Sequence, residues 1–487
     1  MKLTDLLYQL PLRAIHGDTE RDIATVEFDS RAVVPGSLFV AVPGTQVDGH
    51  QFIDQAILQG ATAVAAERLP EPRDSKVTWI EVADSQAVLG LIMGHYFGNP
   101  ARELVMLGVT GTNGKTTIAT LLHQLFTQMG IKTGLVSTIR NLVGETEYPA
   151  THTTPDPKQL HRMFRQMVDE GCDICCMEVS SHALAQHRTA GIPFQVAMFT
   201  NLSHDHLDYH GSFKAYLQAK KLLFDGLGKT AVALTNLDDR NGRVMVQNTA
   251  ATVKTYALKT MADYRARLLE NTFEGLLLEI EGEQVWFRLR GSFNAYNLLA
   301  VYGAAVELGH DKRQVLQALS LLEGAEGRFQ VIRHAQSQQT AIVDYAHTPD
   351  ALENVLQTIH DINRGQSRVI TVVGCGGNRD RAKRPEMGRI AAQQSGQAIF
   401  TADNPRDEEP EAILEEMIAG VPAENQAKVL RISARREAIR TAVQLAQPGD
   451  VILVAGKGHE TYQEIKGVKH PFDDRLVIQE AMEQAAG

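Results

Sequence analysis

The run Gly111-Thr112-Asn113-Gly114-Lys115-Thr116-Thr117 follows an apolar stretch at 104–109 and opens a stretch of helical character at 115–129. A strand, a glycine-rich turn and a helix in that order restrict the fold more than any other feature of the chain. The turn belongs at the carboxyl end of a parallel strand, with the helix returning along the sheet face. The same arrangement binds phosphate. Glycines let backbone N–H groups face an anion, the helix N-terminus adds partial positive charge, Lys115 adds a full one, and the Thr116 hydroxyl is a Mg²⁺ ligand. The strict pattern wants glycine five residues before Gly114, but Val109 stands there and the glycine is Gly108. A bare GKT means little: Gly228-Lys229-Thr230 lies after a helical stretch and before an apolar one, the reverse context, and reads as a turn.

The alternation continues along the chain. Strand-like runs lie at 37–42, 61–66, 104–109, 132–137, 173–179, 196–200 and 231–235, then at 341–344, 369–373, 398–401 and 451–454. Helical stretches at 157–170, 213–224 and 294–308 fall between them. Strands alternating with helices predict parallel sheets covered by helices. At roughly 100–200 residues per domain, 487 residues make two to four domains. Gly98, Asn99 and Pro100 mark one boundary and the glycines at 324 and 327 a softer second. The expectation is an α/β protein of three domains, 1–98, 99–331 and 332–487.

A formal charge of −10 and no long Lys/Arg block argue against nucleic acid as a partner. No apolar run approaches the ~18 residues of a membrane helix, so membrane insertion is not expected and a cytoplasmic location is. Cys172, Cys175 and Cys176 cluster at the 173–179 strand, but no second pair completes a zinc site. Four cysteines in so long a chain fit a reducing compartment.

Two further runs carry metal-binding residue types. Glu178 ends the 173–179 strand, where open α/β sheets place their ligands, and Ser180, Ser181 and His182 follow. The turn Asn201-Leu202-Ser203-His204-Asp205-His206-Leu207-Asp208-Tyr209-His210 follows the next strand. It misses the HxHxDH pattern of zinc hydrolases, because Tyr209 follows Asp208. The helix at 213–224 carries Lys214, Lys220 and Lys221, and periodicity does not single one out.

Taken together, GTNGKTT at 111–117, MEVSSH at 177–182, TNLSHDHLDYHG at 200–211, Lys220 and GSFNAYN at 291–297 resemble the Mur ligase family. The resemblance spans the middle domain and implies a P-loop-type ATPase centre with a parallel sheet. Around it would stand an N-terminal α/β domain that binds a uridine diphosphate substrate and a Rossmann-like C-terminal domain. It implies ATP and Mg²⁺ as cofactors. Gly111, Thr112, Asn113, Gly114, Lys115, Thr116 and Thr117 would hold ATP, with Asn294, Arg328, Asp344 and His347 also at the nucleotide. Thr116, Glu178, His206 and Lys220 would hold metal, and Lys115, Glu178, His206 and Lys220 would serve catalysis. Lys220 corresponds to the lysine that is carbamylated in that family: a neutral amine captures CO₂, and a cationic site becomes an anionic one. Where the family usually has Arg, this chain has His204.

By the same resemblance the substrates are UDP-N-acetylmuramoyl-L-alanyl-D-glutamate and meso-diaminopimelate, joined by a monomeric enzyme through an acyl phosphate. Phe28, Ser30, Thr45, Gln46 and Val47 would lie near the uridine and pyrophosphate, and Thr153, Thr154, Ser180, Gln186 and Arg188 near the muramoyl dipeptide. Gly374-Cys375-Gly376-Gly377-Asn378-Arg379 suggests a dinucleotide loop but lacks its third glycine. Instead Arg379, the run Asp403-Asn404-Pro405-Arg406, Gly456 and Glu460 each follow a strand of one sheet, and are expected at its carboxyl edge. An Arg fork matches the second carboxylate that diaminopimelate has and lysine lacks; Glu460 matches its ammonium. The DNPR run is similar to that of the diaminopimelate-adding members. A lysine-adding ligase, a folylpolyglutamate-type ligase, a P-loop switch and a zinc hydrolase are the alternatives.

Overall fold

The computed structural model describes residues 1–44, 47–150, 152–203, 205–334 and 338–486. Thr45 and Gln46, expected at the uridine nucleotide, and His204 therefore lie outside the described residues. Among those described, the strands form sheets of five, eleven and six strands and one separate hairpin.

The central sheet is built around Val105–Thr110, the strand that feeds the glycine-rich turn. Ile174–Glu178 pairs with it in parallel on one side and Phe194–Phe199 on the other. Its residues alternate between two cores: Leu107 and Val109 face one, Met106 the other. The cysteines follow the same two-residue period, Cys176 to one face and Cys175 to the other. All four cysteines are buried and free, and burial pushes the Cys175 and Cys176 thiols far up, so they pack as small apolar groups.

The flanks of this sheet depart from the parallel expectation. Arg140–Val143 and Thr146–Pro149 form an antiparallel hairpin at one edge. Tyr264–Asn271, Leu276–Ile280 and Glu283–Phe287 form an antiparallel meander at the other. Thr146–Pro149 is largely exposed along its length. It has no buried face to impose an apolar alternation, so nothing in its pattern marks it as a strand.

The five-stranded sheet lies in the first hundred residues, with Ala61–Ala66 between Ser37–Val40 and Thr78–Val82. It is joined to the central domain by the Lys158–Glu27 ion pair at 2.6 Å and by the helix Ser85–Tyr96 packing on the helix Pro157–Asp169. In the six-stranded sheet Val451–Ala455 lies between Thr340–Asp344 and Val369–Val373, all parallel. The loops after those strands and after Gln397–Phe400 thus leave one edge together. Among the described residues no helix is long and apolar enough to cross a membrane.

Candidate active site

The glycine-rich turn is locked from behind by the run after Phe194–Phe199. Asn201 accepts the N–H of Thr112 through its carbonyl (2.8 Å) and that of Asn113 through its side chain (3.0 Å). The donors left for an anion are those opening the helix Lys115–Gln128, which have no acceptor within it. A Cβ on Gly111 would lie 1.8 Å from Thr200 Oγ1, so only glycine lets the turn pass this close. Lys115 Nζ folds over the turn, 2.8 Å from the carbonyl oxygens of Gly111 and Thr112.

Lys220 reaches the same point from the helix Phe213–Asp225, and its Nζ also lies 2.8 Å from the Gly111 carbonyl. It is 1 % exposed and lies over the Tyr216 ring. Burial and, after it, the charge of Lys115 push its pKa far below the usual lysine range. Lys115 is lowered too, first by burial. Two amines crowded on one carbonyl favour a neutral form at the more buried one, as CO₂ capture requires.

Opposite the lysines, Glu178 is almost fully buried. One carboxylate oxygen accepts from the Thr138 N–H at 2.7 Å, the other from Thr116 Oγ1 at 3.0 Å and Thr138 Oγ1 at 3.2 Å. His206 has a left-handed backbone (φ 53°) and its Nε2 is 3.3 Å from Asp205. Burial lowers its pKa to about 4, so its ring is neutral near pH 7 and able to ligate. Among the described residues no three His, Cys, Asp or Glu side chains converge as a metal cluster. The fit to Mg²⁺ rests on hard oxygen donors, the Thr116 hydroxyl and a buried carboxylate that hydroxyls and an amide, not a cation, hold in place.

Beside Glu178, Thr154 Oγ1 donates to the Glu178 carbonyl at 2.8 Å and accepts from the Ser180 N–H at 3.1 Å. Thr153 accepts from Thr138 at 3.0 Å. Arg188 donates to the Thr154 carbonyl at 2.8 Å and to Gln186, which in turn donates to Tyr209.

Arg328 and the C-terminal domain close the other side. Arg328 donates to Thr116 Oγ1 at 3.1 Å and stacks on Tyr345. Asp344 is fixed by the N–H groups of Phe329 and Ala346. Burial lowers the His347 pKa to about 4. Glu460 Oε2 accepts from Asn404 (2.8 Å) and from the fully buried Lys457 (3.0 Å). Arg406, again left-handed (φ 52°), donates to the Gly377 carbonyl and lies 3.2 Å from Glu464.

These groups surround one cavity of about 1450 Å³. Its walls include Thr112, Asn113, Gly114, Lys115, Thr116, Thr153, Thr154, Glu178, Ser180, Arg188, His206, Lys220, Arg328 and His347, with Arg379, Asp403, Asn404, Arg406, Gly456 and Glu460 facing them. Gly111, Thr117, Gln186, Asp344 and Pro405 are not part of the wall. Asn294, expected at the nucleotide, is not in it: its side chain donates to the Arg290 carbonyl and accepts from Asn297. Phe28, Ser30 and Val47 are also outside the walls. Phe28 packs on the first domain's core, Ser30 bonds Gln55 at 3.3 Å, and Val47 is 51 % exposed.

Family models for the Mur ligase family, catalytic domain, the Mur ligase middle domain and the Mur ligase, glutamate ligase domain match residues 22–97, 109–305 and 327–458. The UDP-N-acetylmuramoyl-L-alanyl-D-glutamate–2,6-diaminopimelate ligase of Cytophaga hutchinsonii is 53 % identical over 484 residues, 99 % of each chain. That of Phocaeicola vulgatus is 53 % identical over 480 residues, again 99 % of each. This chain belongs to the Mur ligase family. A solved structure of a ligase with the same name superimposes with a TM-score of 0.71 at 33 % identity, covering 100 % of this chain and 99 % of that one. As in that family, the chain is an ATP-dependent amide ligase with a three-domain α/β fold.

The ligase also lines its cavity with residues that motif reading passed over. Asp350 accepts from Asn113 and Ser203 across the domain boundary, at 3.1 and 2.8 Å. Lys383 donates to the His347 carbonyl. Behind the wall, the fully buried Lys457 of the run Gly456-Lys457-Gly458-His459-Glu460 holds Glu460 in place.

Proposed function

We propose that this Mur ligase joins UDP-N-acetylmuramoyl-L-alanyl-D-glutamate to meso-diaminopimelate, driven by ATP, in the building of peptidoglycan precursors. The observation that carries the reading is the single cavity whose walls hold Lys115 and Thr116 on one side and Arg406 and Glu460 on the other. The relatives named for this reaction add support at 53 % identity along nearly the whole chain.

The nucleotide's phosphates lie at the opening of the helix Lys115–Gln128, where free N–H groups and Lys115 offset their charge. The substrate's glutamate carboxylate attacks the γ-phosphorus, ADP leaves, and an acyl phosphate forms. An uncharged amino group of diaminopimelate then attacks the acyl carbon. Phosphate departs with the bonding pair, and the amine's proton passes to solvent. Thr116, Glu178, His206 and a carbamylated Lys220 would hold Mg²⁺. Bound there, Mg²⁺ supplies Lewis-acid stabilisation of charge on the transferring phosphoryl group. Arg188, anchored on Thr154 and Gln186, orients the muramoyl dipeptide, and Arg328 lies beside Thr116 at the phosphates. At the far end of diaminopimelate, Arg406 and Arg379 receive the carboxylate and Glu460 the ammonium. Phe28, Ser30 and Val47 would reach the uridine outside the cavity. In this reading the enzyme works as a cytoplasmic monomer.

Phosphate release from ATP, measured with each substrate omitted in turn, tests this. Turnover is expected only with dipeptide nucleotide and diaminopimelate together. Release with ATP alone, or equal rates with lysine in place of diaminopimelate, overturns the reading.

A further inference from the structure

Arg379 and Arg406 arrive at the cavity on different loops, one after Val369–Val373 and one after Gln397–Phe400. The two loops are fastened together at unusual cost. Gly377 donates its N–H to the Asn404 carbonyl at 2.9 Å, and Arg406 donates back to the Gly377 carbonyl at 2.8 Å. A Cβ on Gly377 would sit 1.9 Å from the Pro405 carbonyl oxygen, so the backbones touch. Each loop holds one non-glycine residue in the left-handed region, Asn378 at φ 53° and Arg406 at φ 52°. Such conformations persist only where the surroundings enforce them.

The Arg406 backbone is held by the Glu464 carbonyl and the Lys466 N–H, at 3.1 and 2.8 Å, and Asn378 exchanges two bonds with Asp407; the further tie at Asn378 is a carboxylate that the reaction itself does not use. Glu408 Oε1 accepts the Asn378 N–H at 2.5 Å, next to Arg379 in the chain. The same carboxylate takes two bonds from the Arg384 guanidinium, at 2.8 and 2.9 Å. Arg384 is fully buried and also donates to the Gly376 carbonyl at 3.2 Å. These bonds keep the Glu408 carboxyl ionised by lowering its pKa to about 2. A purely structural ion pair needs no bond to the facing loop, and this one bonds it beside the residue that enters the cavity.

We propose that Glu408, gripped by Arg384, is a positioning residue for the amino-acid substrate: it fixes the spacing of Arg379 and Arg406, and thereby the preference for a substrate with a second carboxylate. This rests on the diaminopimelate reading given above.

The test is Glu408→Gln in the full chain, with KM measured for diaminopimelate, ATP and dipeptide nucleotide. KM for diaminopimelate is expected to rise roughly tenfold, the size of one lost charge-assisted hydrogen bond. The other two KM values and kcat should stay within about twofold, as for sites that do not share partners. Glu408→Asp, which keeps the charge but shortens the reach, should move KM the same way, so a folding failure of one variant does not spare the idea. Glu416→Gln removes the other carboxylate from Arg384 without touching the loop tie, and should leave diaminopimelate KM unchanged. In an Arg406→Ala background the Glu408→Gln effect should largely vanish. An unchanged diaminopimelate KM, an equal rise for ATP, or the same rise in Glu416→Gln overturns the positioning role. If the wild-type enzyme uses lysine as well as diaminopimelate, the substrate reading falls, and the positioning role with it. If wild type discriminates and Glu408→Gln discriminates equally, only the positioning role falls.

Discussion

Lys115 and Lys220 donate to the same carbonyl oxygen of Gly111, each at 2.8 Å. Burial and the neighbouring Lys115 charge both push the Lys220 pKa down, which favours its neutral form. The proposed carbamylation of Lys220 needs that neutral amine. Turnover should fall when bicarbonate and CO₂ are stripped from the buffer and return when they are restored, and a carbamate carbon should be visible by NMR with labelled bicarbonate. Lys220→Arg, permanently charged, should lose at least ~100-fold in kcat, in the range seen when one charge-stabilising group is removed. Full activity of Lys220→Arg would show that no carbamate takes part. The sequence placed Lys220 only through its family resemblance. Three lysines lie on that helix, and which of them is buried depends on what packs against it.

Between elements, the contact of the helices Ser85–Tyr96 and Pro157–Asp169 joins the first domain to the central one. His161 lies within it, next to Gly94, with neither ring nitrogen hydrogen-bonded. Burial, and then the charge of His95, lower its pKa from 6.5 to about 4. The unfolded chain binds this proton more readily than the folded one, so the contribution is complete above pH 6.5 and is lost as pH falls toward 4. The loss is roughly 3 kcal/mol at most. His161→Leu should move the acid-unfolding midpoint, followed by circular dichroism, to lower pH. A midpoint at or above that of the wild type would mean that this histidine does not drive acid loosening. The helix at 157–170 and the central strands of each sheet were legible from apolar runs, but buried strands such as Thr78–Val82 and Leu276–Ile280 were not named. The exposed edge strand Thr146–Pro149 was not legible, because pairing with its neighbour, not side-chain burial, makes it a strand.

At the scale of the molecule, the cavity exists because the domains hold one another across it. Asp350, at the start of the helix Pro349–Asn363, accepts from Asn113 and Ser203 of the central domain. Across the cavity Glu326 pairs with Arg475 at 3.0 Å and lies 3.6 Å from Arg140. Contacts of this polar kind open more easily than an apolar interface. Asp350→Ala should raise the radius of gyration of the free enzyme in small-angle scattering and raise KM for ATP several-fold. Identical scattering profiles for variant and wild type would remove Asp350 from the closure.

By itself the sequence determined the local chemistry: the glycine-rich turn after its strand, the carboxylate at a strand end, the arginine of DNPR. Backbone conformation and hydrogen-bonding type are properties of a few adjacent residues, so they survive in a linear reading. The tertiary structure alone decided which polar groups face one another. Asn294 carries the family motif yet bonds its own helix, and Glu408 carries no motif yet ties two loops together. Which partners meet depends on how sheets and domains pack, and residues 147 positions apart come within 3 Å through contacts that no short stretch of chain encodes.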